Sequence, residues 1–308
     1  MSGLAIEAKS DRALLAIALM LTAYLAFSFI DTSAKWLAIT GLAPLQIAFM
    51  RYFAHFIISS AILLRSGAGR ESFTAKNLPI VVLRGGLLAA STILNFFAIT
   101  FIPLTLTSTI LFAAPIMICA LSWPLLGERV GIRRWSAIIV GFCGIIVAIR
   151  PFDESFHWAV FLSLSGAFCF AMYSILTRKL AGIVATDTMQ FYSGLVGAAV
   201  LLPPAVLLWQ NPATVFDWCV MFALGFFGWF GHQLLTTAHR FASASTLTPF
   251  AYAFIVYLTI WSVLVFDESP DRWTVAGAAI IVASGLVIWF RERHMAIDRI
   301  SERTYSKS

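Results

Sequence analysis

From Leu104 to Gly144 the chain runs through a long apolar segment, a short charged turn around Gly127-Glu128-Arg129 and a second long apolar segment. From Ala244 to Gly285 it writes the same pattern again. One offset of 140 residues pairs Ala98 with Ala238, Phe101 with Phe241 and Glu128 with Glu268, while Gly144 pairs with Gly285 at 141. Self-similarity over this length constrains the fold before any motif does. In an apolar chain it predicts two copies of one helical unit, an arrangement common in transporters.

The chain is apolar in the required sense. Of 308 residues, 60% are hydrophobic and only 12% charged, and the mean hydropathy is +0.88, too high for a water-soluble globule of this length. A membrane span needs ~20 apolar residues to cross ~30 Å of hydrocarbon. Ten segments meet that rule, near 13–37, 44–64, 78–101, 104–126, 133–149, 157–178, 187–209, 216–239, 244–266 and 273–290. The turns between them leave no room for a soluble domain. The expected fold class is therefore an all-α membrane protein of ten transmembrane helices. The first apolar run is too long for a signal-peptide core and reads as a retained span. Cys119, Cys143, Cys169 and Cys219 lie inside apolar spans without metal-like spacing and read as packing residues.

Charge sets the expected orientation. Lys9, Arg12, Arg65, Arg70, Lys76, Arg84, Arg129, Arg133, Arg134, Arg178, Lys179, Arg240 and the basic tail from Arg291 onward are assigned to one side. Lys35, Arg150 and Arg272 are assigned to the other, with Arg51 inside a span. This bias places both termini in the cytoplasm. It also accounts for the formal charge of +6, which is then no sign of nucleic-acid binding. Five spans per half is an odd number, so the halves cross the membrane in opposite senses. Inverted repeats of this kind put a substrate site near the midplane between them.

Leu125-Leu126-Gly127-Glu128-Arg129, followed by Gly141 and Gly144, resembles the EamA repeat of the drug/metabolite transporter superfamily. So do Pro115 upstream, Arg51 in the second span, and the second copy at Glu268, Gly277 and Gly285. The resemblance runs from about Ala13 to Arg291. It implies a ten-helix carrier of two inverted five-helix repeats around a central cavity, walled by the first, third, fourth, sixth, eighth and ninth helices. The fifth and tenth would be peripheral. Members carry amino acids and other metabolites; the YddG-like amino-acid exporters form one branch and S-adenosylmethionine carriers another. The chain departs from the pattern at Ala114, where many members have an acid, at Ile255 in place of the second copy's proline, and at Asp267 in place of its glycine. The division expected is a cytoplasmic tail at 1–12, a first repeat at 13–150, a second at 151–291 and a cytoplasmic tail at 292–308.

Within the spans, polar side chains are the informative ones, because a charge at the bilayer centre costs ~2.5–3.5 kcal/mol on insertion scales. Asp31 and Lys35 lie one helical turn apart, as do Arg51 and His55. An Asp31–Arg51 ion pair in the outer half is expected, as a structural clasp or an outer gate. Arg84, Leu88, Ser91 and Asn95 share one stripe of the third helix, and Trp229, His232, Thr236 and Arg240 share one on the eighth, with Gln233 beside them. Phe112 and Tyr252 pair at the repeat offset, and Tyr173 adds an aromatic from the sixth helix. Pro115, mid-helix, leaves the Leu111 carbonyl unbonded and allows a kink, and Pro249 is its candidate counterpart at the cytoplasmic gate.

The expected site is therefore a midplane cavity lined by Ser91, Asn95, Phe112, Tyr173, His232, Gln233 and Tyr252, with Asp31, Arg51, His55, Pro115 and Pro249 as ion-pair or gating residues. No carboxylate is expected at that depth, which favours neutral or zwitterionic substrates. There is no HExxH or GxSxG pattern and the histidines are scattered, so an intramembrane enzyme is disfavoured; a structural membrane protein would need no inverted repeat. The function expected is a secondary transporter of a bacterial-type inner membrane that exports small metabolites, amino acids first, with uptake of S-adenosylmethionine or another metabolite as the alternative. No cofactor and no metal are expected. The partners are a small-molecule substrate and the lipid bilayer, with no nucleic acid, in a monomer or homodimer.

Overall fold

The computed structural model describes residues 2–65, 77–127, 132–180, 183–241, 247 and 250–305. Its elements are α1 (Ser2–Ile39), α2 (Pro44–Arg65), α3 (Leu78–Ala98), α4 (Leu104–Leu111), α5 (Ala113–Leu126), α6 (Ile132–Ile149), α7 (Val160–Leu180), α8 (Thr186–Leu207), α9 (Val215–Phe241), α10 (Ala253–Phe266) and α11 (Arg272–Tyr305). No strand occurs among the described residues. Inside hydrocarbon, backbone N–H and C=O groups find partners only within the chain, and a helix supplies them all.

Six of these segments are long and apolar enough to cross a membrane: Leu14–Ile39, Pro44–Arg65, Leu78–Ala98, Val160–Leu180, Thr186–Leu207 and Val215–Leu235. Shorter apolar stretches at Leu104–Ile118, Trp135–Ile149, Ala253–Phe266 and Arg272–Val287 complete the ten positions expected. Large apolar side chains line the outside: Phe161, Leu207 and Leu264 are 60%, 84% and 71% exposed. In water such a surface would aggregate; against lipid tails it is solvated.

The packing has the symmetry of an inverted repeat. α1 packs on α9, and α7, its counterpart in the second half, packs on α3. α2 meets α8 and α6 meets α11, each a helix against its own repeat mate, and α4 meets α10 where the fourth and ninth spans, also mates, face each other. The two ends of α6 and α11 fix their relative sense. Arg150, just beyond α6, reaches Asp271, just before α11, at 3.6 Å, so the two helices run antiparallel. Their crossing is close because a Cβ on Gly277 would lie 2.6 Å from both the Gly144 carbonyl oxygen and the Ala148 Cβ. Small residues admit this approach where lipid offers no hydrophobic drive.

Two turns show how the repeat repeats. Gly127 and Asp267 occupy the same repeat position and both adopt a left-handed backbone, φ 68° and 55°. Glycine reaches that region freely, and aspartate tolerates it better than most residues. The departure from the family pattern at Asp267 therefore preserves the geometry. The Asp267 N–H bonds the Val263 carbonyl at 3.2 Å and the Glu268 N–H the Ser262 carbonyl at 3.0 Å. The first bond, from a left-handed residue just past the helix to the carbonyl four residues back, is the αL closure of α10, and it turns Glu268 back toward the bundle.

Candidate functional site

The fourth span is broken where the proline predicts. Pro115 has no N–H to give the Leu111 carbonyl, and the helix stops at Leu111 and restarts at Ala113. Phe112 sits in the break, its own N–H bonded to the Ser108 carbonyl at 3.1 Å. The ninth span is also broken, at Tyr252, which precedes α10, although residue 255 there is isoleucine and not proline; Pro249 lies outside the described residues, as do Glu128 and Arg129. The two break residues meet, ring centroids 5.1 Å apart. Tyr252 can come that near the tenth span only because residue 285 is glycine, where a Cβ would overlap the tyrosine hydroxyl.

From this pair a run of rings crosses the bundle. Phe112 contacts Phe254 at 6.3 Å and Phe254 contacts Tyr24 at 6.0 Å. Tyr24 then meets Phe27 at 5.9 Å, Phe27 meets His232 at 5.0 Å, and His232 faces His55 at 6.1 Å. Two of the rings the sequence singled out are the start of this run and two more its end; the middle, Phe254, Tyr24 and Phe27, carried no signal beyond being aromatic.

Alongside lies a polar group drawn from α1, α2 and α3. The Arg51 guanidinium donates to the Thr92 hydroxyl and stands 5.1 Å over the Tyr52 ring. The Tyr52 and Thr92 hydroxyls bond each other at 2.7 Å. Asp31 lies near Asn95 and within electrostatic reach of Arg51, but the expected direct Asp31–Arg51 ion pair does not form among the described residues, where Arg51 turns to Thr92 instead. Asp31, Asn95 and His55 are all buried. The expectation that no carboxylate lies at the depth of Asn95 is thus corrected: α1 and α3 cross so that Asp31 comes to Asn95. Asn95 Oδ1 and His55 Nε2 are enclosed without a hydrogen-bond partner.

Another cation was misplaced from sequence. Arg84, assigned to a turn, is only 3% exposed and sits well inside α3, whose start is marked by Asn77 and the Pro79 in its first turn. It donates to the Thr177 hydroxyl at 2.7 Å, the Ser193 hydroxyl at 2.9 Å, the Met189 carbonyl at 3.1 Å and the Tyr173 hydroxyl at 2.8 Å. Its guanidinium also stacks 4.4 Å from the Tyr173 ring centre. Tyr173 is therefore tied to Arg84. Of the other expected residues, Ser91 is buried on α3 against α7, Gln233 is half-buried on α9, and Pro115 is exposed.

On the opposite face, Lys35 does not pair with Asp31. It lies 2.6 and 2.5 Å from the two carboxylate oxygens of Glu268 and 5.0 Å from the Phe266 ring centre. Neighbouring Trp36 donates its indole N–H to Asp217 at 2.9 Å, and Asp217 also caps α9 with Thr214. The end of α1 is thus bound to the start of α9 and the end of α10. Of the four cysteines, Cys143 and Cys219 are exposed and Cys169 is half-buried; these three are free thiols.

An all-helical bundle of two inverted halves, with polar and aromatic residues converging between them, defines a secondary membrane carrier. The EamA-like transporter family model matches residues 14–150 and again 157–290, and the chain belongs to that family. It is similar to the S-adenosylmethionine uptake transporter of Rickettsia prowazekii, 31% identical over 265 residues, 85% of this chain and 88% of that one. It is also similar to a riboflavin transporter of Vibrio cholerae, 28% identical over 86% of this chain and 89% of that one, and to a pseudopaline exporter of Pseudomonas aeruginosa, 27% identical over 88% and 95%. A solved crystal structure shares the fold with a TM-score of 0.61 at 19% identity, covering 94% of this chain and 99% of that one. The chain is a multi-pass transporter, not an enzyme.

Proposed function

We propose that this chain moves a metabolite that joins a flat ring to an amino-acid head, by alternating access of its two halves, and that S-adenosylmethionine uptake is the activity to test first. The observation that carries this reading is the run of rings from Tyr252 and Phe112 to Phe27, lying beside the polar group at Asp31, Arg51 and Asn95. Rings take the flat apolar part of a ligand and a few polar atoms orient it. Three relatives are named for S-adenosylmethionine, riboflavin and pseudopaline, and the first of these joins adenine to a methionine head. Export of amino acids, aromatic ones included, is the second reading. It is favoured by the Phe112–Tyr252 pair, which suits a single aromatic side chain.

The chain would sit in a bacterial inner membrane with both termini cytoplasmic, the side given by its basic turns. Purified protein in liposomes, with labelled S-adenosylmethionine outside and unlabelled inside, tests the proposal. Saturable counterflow supports it. Flux of amino acids without flux of S-adenosylmethionine would favour the second reading. In the same assay His232→Ala and Asn95→Ala should lower flux, while Cys143→Ala, on the outer surface of α6, should leave it unchanged.

A further inference from the structure

We infer that Asp31, Asn95 and Arg51 form a subsite for the two charges of an amino-acid head: the ammonium at Asp31 and Asn95, the carboxylate at Arg51. This rests on the carrier function proposed above and names the groups that would select its substrate.

The geometry asks for a ligand with both charges. Asn95 lies beside Asp31, and its side-chain oxygen is buried with no donor to meet it. An ammonium brings three N–H donors, enough to serve the Asp31 carboxyl and the Asn95 oxygen together. Arg51 has five N–H donors, of which Thr92 takes one and the Tyr52 hydroxyl, at 3.4 Å, takes another weakly. The remainder can receive a carboxylate. His55, one turn further along α2, offers its unpartnered Nε2 on the same helix face. On the α9 side residue 228 is glycine, and even a Cβ there would stand 3.6 Å from the Arg51 Nε, so the guanidinium is not capped by a side chain from that position.

The electrostatics suit a carrier that must also return empty. Without ligand, Asp31 and Arg51 carry opposite charges within electrostatic reach but form no direct ion pair, and an isolated charge at that depth is avoided. The zwitterionic head of an amino acid placed between them gives each group its own partner and adds no net charge to the subsite; the sulfonium of S-adenosylmethionine lies beyond the head and adds its one positive charge outside it. A ligand with a single charge would leave one of the two protein groups without a counter-charge. A purely structural Asp31–Arg51 clasp explains the opposite charges, but it leaves the Asn95 oxygen and His55 Nε2 orphaned in the same place.

The test uses the full chain in nanodiscs and measures directly, by calorimetry, the binding of methionine, methionine methyl ester, 4-(methylthio)butanoate and adenosine. Wild-type protein should prefer methionine at least tenfold over both the ester and the deaminated acid. Arg51→Gln should erase the preference over the ester while retaining that over the acid, and Asp31→Asn the reverse. Asn95→Ala keeps both charges and should weaken the second preference by severalfold; it guards against misfolding of the charge variants. Equal weakening of every ligand by each variant would show a clasp and overturn the subsite. So would a wild-type protein with no head preference, whether or not it carries S-adenosylmethionine. Head selectivity without S-adenosylmethionine flux would instead overturn the proposed substrate and leave the subsite standing.

Discussion

The rings of Phe112 and Tyr252 lie 5.1 Å apart, and each residue occupies the break in its own span. They are repeat mates at the 140-residue offset, so the pair lies where the two inverted halves face each other across their pseudo-twofold axis. A helix broken at its middle can bend there, and two such bends in contact are coupled.

Gly285 should be the position most sensitive to this coupling. Gly285→Ala puts a methyl group on the Tyr252 hydroxyl, an overpacking expected to cost ~1–3 kcal/mol. Removing that hydroxyl with Tyr252→Phe should recover part of the loss. Melting temperature and flux of the two single variants and the double variant form the cycle; a double variant no better than Gly285→Ala alone would show that the hydroxyl is not the obstacle.

Lys35 and Glu268 should behave as a pair. Lys35 is 6% exposed at its side chain and Glu268 34%. Breaking a fully buried pair costs ~3–5 kcal/mol, and the partial exposure of Glu268 brings the expectation nearer ~1–3 kcal/mol. Lys35→Glu should therefore lower the melting temperature, and adding Glu268→Lys should restore most of it. A disulfide between cysteines at these positions should hold α1 to the end of α10 and stop transport reversibly. Full flux with that disulfide formed would show that this face does not open.

These two relationships differ in how far the sequence foretells them. Phe112 and Tyr252 can be matched by counting, because a repeat maps one half onto the other and an axis between the halves brings some mates together. Lys35 and Glu268, 233 residues apart, share no repeat position. They meet only because α1 leaves its own half to pack on α9 and α10. Hydropathy says which residues are in the membrane, but lipid and protein interior are equally apolar, so it does not say which helix faces which. Arg84 shows the same limit in another form. A lone charge near the end of an apolar run looks like a turn residue until a neighbouring helix is seen to supply Ser193 and a second one Tyr173 and Thr177.

Arg84 should accordingly be intolerant even of lysine. An ammonium has three donors and cannot reproduce the planar fork or stack on a ring as a guanidinium does. Arg84→Lys leaves acceptors among Thr177, Ser193, Met189 and Tyr173 unserved, at ~1–3 kcal/mol for a buried polar group left unpaired. Tyr173→Phe, which removes one of these bonds, should be milder. Thermal unfolding in detergent ranks the two. A Tyr173→Phe loss exceeding that of Arg84→Lys would mean that the tyrosine, not the arginine, organises the group.

The inverted topology makes its own prediction at the membrane surfaces. Because Arg150 reaches Asp271, the end of α6 and the start of α11 lie on one side, and the start of α6 lies on the other. Single cysteines at 133 and 272, in a chain whose native cysteines are replaced, should then label with an impermeant maleimide from opposite faces. In intact cells position 272 should react and position 133 should be protected until the membrane is opened, since the basic turn is expected to be cytoplasmic. Protection of 272 with reaction at 133 would keep the fold and reverse its orientation. Reaction of both from one face would contradict the antiparallel crossing at Gly144 and Gly277, on which the two-half architecture depends.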